Sequence, residues 1–170
     1  MSGTSTHEIY IQGLRNAHAE ERQAVETLQR QVERLEHYPE LKAGLDRHVQ
    51  ESQRQQERLE QILGTHGTTS SAFKEAVTGA VGNISALGHS AASDEVLKNV
   101  FRGCALEHHE IAAYTSLIAM AEAAGDQQHI SLLRQSLQEE EAMAKFMEGQ
   151  VVPVTRRYLE LAAAGETAKV

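Results

Sequence analysis

Residues 97–118 read LKNVFRGCALEHHEIAAYTSLI. Leu97, Val100, Cys104, Glu107, Ile111, Tyr114 and Ile118 recur at alternating steps of three and four, the stripe that a helix buries in a bundle. Glu107 stands in the middle of that stripe, where a bare carboxylate suffers a large desolvation penalty. Three further stretches repeat the pattern. One runs Leu14, His18, Glu21, Val25, Leu28, Val32, Leu35, and another Ile130, Leu133, Leu137, Glu140, Ala144, Met147. The remaining one, less regular, runs Leu41, Leu45, His48, Ser52, Gln55, Leu59, Ile62, with Glu51 beside it. One carboxylate per helix at similar depth implies something positive in the middle, and a pair of metal ions is the economical candidate.

The composition suits such a bundle. With 170 residues the chain has the length of one domain, 1–170, with a real core. Only two prolines occur, Pro39 and Pro153, aromatics are 4%, and tryptophan is absent, so little interrupts helix. The formal charge of -8 comes with no basic patch to hold a phosphate backbone, which argues against nucleic-acid binding. A single cysteine, Cys104, cannot staple the fold and fits a reducing compartment. No apolar run has the length of a membrane span, and the N-terminal residues lack an apolar signal segment. The expectation is a cytoplasmic protein with no membrane partner.

Punctuation divides the chain. Helix A is expected over 7–36, ended by His37, Tyr38 and Pro39, because the residue before proline leaves helical geometry. Helix B follows over 39–63, with Pro39 in its first turn and Gly64 to Gly67 as its stop. Helix C covers 94–124 with Ser93 as N-cap, and helix D covers 126–149 after a Gly125–Asp126 turn. Pro153 is expected to end helix D, leaving a short C-terminal helix over 154–163. Helices A and B, and C and D, are joined by a few residues each, so each pair is an antiparallel hairpin. About thirty residues separate B from C, enough for a crossover helix over 71–87, which at about 1.5 Å per residue spans roughly 25 Å. The expected fold is all-α: a ferritin-like four-helix bundle, two antiparallel hairpins joined by a long helical crossover.

A di-iron or di-manganese carboxylate site uses hard oxygen donors, bridging carboxylates and one or two imidazoles. The common supply is one Glu from each of two helices and Glu-x-x-His from each of the others. The glutamates are present as Glu21, Glu51, Glu107 and Glu140, but Arg54 and Met143 stand where those histidines would be. Histidines precede the glutamates by three instead, His18 before Glu21 and His48 before Glu51, and an i, i+3 pair shares one face. Helix C adds Glu110 one turn beyond Glu107, with His108 and His109 between them. The candidate metal ligands are therefore Glu21, Glu51, Glu107, Glu110, Glu140, His48 and His108. Glu107 and either Glu51 or Glu140 would bridge, Glu21 and Glu110 would be terminal, and His48 or His108 would supply nitrogen. Tyr114 reads as packing with a satisfied hydroxyl, Cys104 as an inert filler, and Gln55 as a hydrogen-bond donor to a ligand carboxylate or to backbone.

Several stretches resemble the YciF/YciE-type family of ferritin-like, stress-associated bacterial proteins. They are Glu21-Arg22-Gln23, Pro39-Glu40-Leu41, His48-Val49-Gln50-Glu51-Ser52, Glu57-Arg58-Leu59-Glu60 and Leu137-Gln138-Glu139-Glu140-Glu141. The most specific is Glu107-His108-His109-Glu110-Ile111-Ala112-Ala113-Tyr114, close to the family's Glu-His-Tyr-Glu-Ile-Ala-x-Tyr. His18 and His109 depart from it, standing where the family usually has tyrosine. The resemblance implies a rubrerythrin-like bundle, a dinuclear centre on Glu21, Glu51, Glu107, Glu110 and Glu140, and a homodimer. The chemistry expected of iron or manganese there is ferrous oxidation or peroxide reduction, with oxygen or peroxide as the small oxidant. A lone cysteine leaves no rubredoxin-like module. The alternative is a non-enzymatic structural or interaction bundle that has lost productive metal chemistry. The apolar residues Val151, Val152, Val154, Tyr158 and Leu161 would either form an interface or fold back over the bundle end.

Overall fold

The computed structural model of the chain describes residues 4–67 and 93–168. Among them are four α-helices and no strand: α1 (Thr6–Arg34), α2 (Pro39–Thr65), α3 (Glu95–Ala124) and α4 (Ile130–Ala163), with one 3-10 turn, Gln127–His129, before α4. The crossover helix expected over 71–87 lies outside the described residues.

Local chemistry sets the ends. A capping box starts α1: Ser5 Oγ accepts the Glu8 amide at 3.2 Å, and Glu8 Oε2 accepts the Ser5 amide at 2.7 Å. Pro39 opens α2, and the preceding Tyr38 sits at φ -128°, outside the helical region. Gly125, at φ 78°, ends α3; its amide bonds to Glu122 O at 3.2 Å, and the Asp126 amide to Ala121 O at 2.9 Å. That Schellman arrangement needs a left-handed residue, hence glycine. The expected Ser93 cap is not formed: Asp94 holds that position and pairs with Lys98 at 2.8 Å.

The C-terminal expectation needs correction. No helix ends at 149 and none starts at 154; α4 runs unbroken through Pro153 to Ala163. Proline inside a helix costs about 3 kcal/mol. Packing beyond it offsets that: Val154 and Leu161 are buried in the chain's own core, with Tyr158 against them. The Tyr38 hydroxyl donates to Ala168 O, tying the following segment to the α1–α2 turn. Val152 and Leu159, in contrast, stay exposed.

All neighbouring helices are antiparallel. The start of α1 meets the end of α3, where Tyr10 bonds Asp126 at 2.9 Å, and the end of α1 meets the start of α3, where Arg34 pairs with Glu95 at 2.8 Å. His18 reaches Glu60 on α2 at 2.9 Å, and α2 reaches α4 through Gln55 and Glu140. His66, at the end of α2, lies 3.0 Å from Asp126, so α2 finishes at the end of the bundle opposite the start of α3. Two antiparallel hairpins whose joining ends lie at opposite poles are the ferritin-like arrangement.

The core has two apolar halves. Val25, Leu28, Leu45, Val100 and Met147 belong to one, and Leu14, Leu59, Ile62, Leu117 and Leu133 to the other. The helices approach closely in the first. A Cβ built on Gly44 would lie 2.1 Å from Phe146 Cζ, and one on Gly103 would lie 2.5 Å from Met147 Cε. Overpacking costs about 1–3 kcal/mol where a ring cannot yield, and less against a flexible thioether. Gly44→Ala is therefore expected to lower the urea midpoint more than Gly103→Ala, although both gain the same helix propensity. A Gly44→Ala protein more stable than the parent would contradict this packing. Among the described residues, no helix is long and apolar enough to cross a membrane.

Candidate metal centre

Between the two apolar halves lies a buried polar layer. Glu21, His48, Glu107, Glu110 and Glu140, one or two from each helix, are at most 3% exposed. Donor atoms of His48, Glu107, Glu110 and Glu140 all lie within 4.8 Å of one another. Glu107 and Glu110 are one turn apart on α3 and share its inner face. That face is rotated slightly from the sequence expectation. Val96, Val100, Glu107, Glu110, Tyr114, Leu117 and Ala121 are buried, while Leu97, Cys104, Ile111 and Ile118 are half-buried flanks. The rotation brings Glu110 fully inside.

Supporting residues hold the layer in place. His48 presents Nδ1 to Glu51 at 3.2 Å, which turns Nε2 toward Glu107 Oε2 at 3.3 Å and Glu140 Oε2 at 3.7 Å. The Tyr114 hydroxyl donates to Glu21 Oε1 at 2.7 Å. Gln55 Nε2 donates to Glu140 Oε1 at 2.5 Å and to Glu139 Oε2 at 3.1 Å. Glu139 is clamped by both Arg58 terminal nitrogens at 2.7 Å each, and Arg58 also reaches Ser136 Oγ at 3.0 Å. Arg58 and Glu139 both lie in stretches that carry the family resemblance, but helical periodicity alone does not pair them.

Two expected ligands are displaced. His108 is exposed and pairs with Glu148 at 3.0 Å on the surface, because it stands about 100° around the helix from Glu107. Glu51 lies behind His48, its side chain 22% exposed, and orients the imidazole rather than joining the converging oxygens. Glu21 is buried next to the group, hydrogen-bonded by Tyr114, without entering the tight set of four. His109 is also on the surface, 3.6 Å from Glu20, and His18 faces Glu60.

The electrostatics of this layer are those of crowded acids. Burial, then repulsion from Glu21, Glu140 and Glu107, pushes the Glu110 carboxyl well above the ordinary carboxylate range. Burial pushes Glu140 up to about 9, with Glu21 and Glu107 adding to it and His48 opposing. Glu21 rises to about 7 by burial, moderated by the Tyr114 hydrogen bond. Burial disfavours the His48 imidazolium, but the Glu107 and Glu51 carboxylates outweigh it and raise that ring to about 11. Even so, Glu21 Oε2, Glu107 Oε2, Glu110 Oε1, Glu140 Oε2 and His48 Nε2 are buried without an aligned hydrogen-bond partner. A buried polar atom without a partner costs about 1–3 kcal/mol, more for a charged group. Five in one layer fit a cation: four hard oxygens and one imidazole nitrogen, its tautomer fixed by Glu51, are a donor set able to hold a metal ion.

Fold and layer together define a ferritin-like four-helix bundle with a buried His/Glu group able to hold a metal ion. Residues 5–160 match the model of the family described as "Domain of unknown function (DUF892)", and the chain belongs to that family. Solved structures similar to this chain include two bacterial proteins. One is the protein XCC3681 from Xanthomonas campestris pv. campestris, 29% identical, with 93% of this chain and 98% of that one covered at a TM-score of 0.74. The other is YcfI from Rhodopseudomonas palustris, named "a putative structural protein", 25% identical, with 85% and 94% covered at a TM-score of 0.63.

Proposed function

We propose that this chain is a YciF/YciE-type ferritin-like protein whose central layer holds two iron or manganese ions and serves in protection against oxidants. The observation that carries this reading is the set of five buried donor atoms without an aligned hydrogen bond in one layer. Glu107, Glu140, Glu110 and Glu21 would hold the ions through carboxylate oxygens, and His48 through its Nε2 nitrogen. Bound there, a redox pair of ions would supply the two electrons that one peroxide requires, or would pass ferrous electrons to oxygen. The remaining residues keep the donors in place: Glu51 holds the His48 ring, Tyr114 holds Glu21, and Gln55 holds Glu140. The apolar halves on either side exclude bulk water from the layer. Exposed Val152 and Leu159 are the surface proposed for a homodimer, and the lone half-buried Cys104 accords with a cytoplasmic setting.

The second reading is a bundle that serves structure or interaction. Its support is Met143, buried in the apolar core, and exposed Arg54, at the two positions where a second imidazole would stand. The name of the Rhodopseudomonas relative leans the same way. Anaerobic ferrous loading followed by metal analysis and stopped-flow oxidation separates the two. About two ions per chain are expected, with oxidation by oxygen or peroxide at least ~10-fold faster than with Glu107→Ala. Bound iron with equal rates in both proteins would sink the oxidase reading and favour the structural one.

A further inference from the structure

A second constellation lies at the pole of the bundle where α2 ends and α4 begins. Asp126 Oδ2 is approached by Tyr10 Oη at 2.9 Å and His66 Nε2 at 3.0 Å. His129 Nδ1 lies 2.7 Å from Asp126 Oδ1 and 2.8 Å from Oδ2. His7 Nε2 stands 3.1 Å from His66 Nδ1, the nitrogen facing away from the carboxylate. One donor atom each from His66, Asp126 and His129 lie within 4.8 Å of one another. Asp126 and His129 are buried, and His66 is 15% exposed, which leaves one side open to solvent. The apolar residues Leu14, Leu59, Ile62, Leu117 and Leu133 separate this group from the central layer.

We propose that His66, Asp126 and His129 form a second, mononuclear site for a divalent transition ion of the zinc type. Two imidazoles and one carboxylate are borderline donors that suit such an ion, and three protein ligands leave a position for water. The arrangement around them has the form that metal-bound side chains take. His7 lies against the far nitrogen of His66 and can fix its tautomer, and Tyr10 donates to the ligating carboxylate. A hydrogen-bonded hub around Asp126 would require both imidazoles to carry protons on the nitrogens that face it. An ion bound at those nitrogens leaves each ring neutral with its one proton on the far nitrogen. The ion would join the end of α2 to the α3–α4 turn, with α1 attached through Tyr10. Its role would therefore be to lock the pole of the bundle, independent of any redox chemistry in the middle.

The test uses the full chain carrying Glu107→Gln and Glu140→Gln, which disables the central layer with isosteric, uncharged side chains. Cobalt(II), a spectroscopic stand-in for zinc, is titrated at micromolar concentration. One ion per chain with visible ligand-field bands, displaced by zinc, is expected. Adding His66→Gln and His129→Gln should weaken binding at least ~100-fold, and His7→Ala alone about 10-fold. No binding in the parent double variant, or binding indifferent to the loss of His66 and His129, would overturn the site. Should the fourfold variant not fold, anomalous scattering from zinc in crystals of the double variant decides. A peak between His66, Asp126 and His129 upholds the proposal, and its absence there overturns it.

Discussion

Loading the metal-free protein with ferrous or manganous ion is expected to raise its melting temperature by about 10–20 °C. The size follows from linkage. An ion that binds only the folded chain contributes about 2.7 kcal/mol at a hundredfold excess over its dissociation constant. Two ions contribute roughly 5 kcal/mol, and a chain of this length shifts about 2–4 °C per kcal/mol. Glu140→Ala and Glu107→Ala should each remove most of this gain. Neither should cripple the metal-free protein, because each removes a buried acid from a crowded layer whose burial disfavours charge. Calorimetry with and without metal is the measurement. Equal melting temperatures for the unmodified protein in both states would count against a working central site.

Without metal, stability should fall as pH rises from about 5 to about 9. Glu140 holds its proton up to about 9 in the folded chain, against 4.5 as its ordinary value. Between those values the unfolded chain has lost a proton that the folded chain keeps, so folding weakens by up to about 1.4 kcal/mol per pH unit. Glu21 adds the same sign between 4.5 and about 7, and Glu110 acts in the same direction. His48, raised from 6.5 to about 11, extends the loss to higher pH, since the unfolded ring deprotonates first. The opposite sign belongs to Glu139, held below 4.5 because its Arg58 clamp outweighs burial; its stabilisation is lost as pH falls below about 4.5. Stability of the metal-free protein should therefore peak near pH 5. Glu140→Gln should flatten the alkaline fall by about one proton's worth. Metal affinity should run the other way and increase with pH, because binding must displace the same protons. A metal-free melting temperature that is level or climbing from pH 5 to 9 would refute the picture of crowded, protonated acids.

The helices and the central layer could be read along the chain because both rest on periodicity. A stripe at steps of three and four faces the bundle axis whatever the partner helices are, so Glu21, Glu107 and Glu140 had to turn inward. The glycine stop at Gly125 and the proline start at Pro39 are equally local, fixed by the backbone angles those residues allow. Other outcomes were decided only when the helices came together. Glu51 and His48 sit three residues apart on nearly one face, and the packing of α3 and α4 sends the imidazole to the centre and the carboxylate behind it. The slight rotation of α3 puts Glu110 in the layer and leaves His108 on the surface. Pro153 reads locally as a stop, yet the buried contacts of Val154 and Leu161 outweigh its cost and carry α4 through it. The Asp126 cluster brings together His66 and His129, more than sixty residues apart in the sequence. Periodicity within one helix cannot bring such distant residues together; that took antiparallel packing, which places the ends of different helices at one pole.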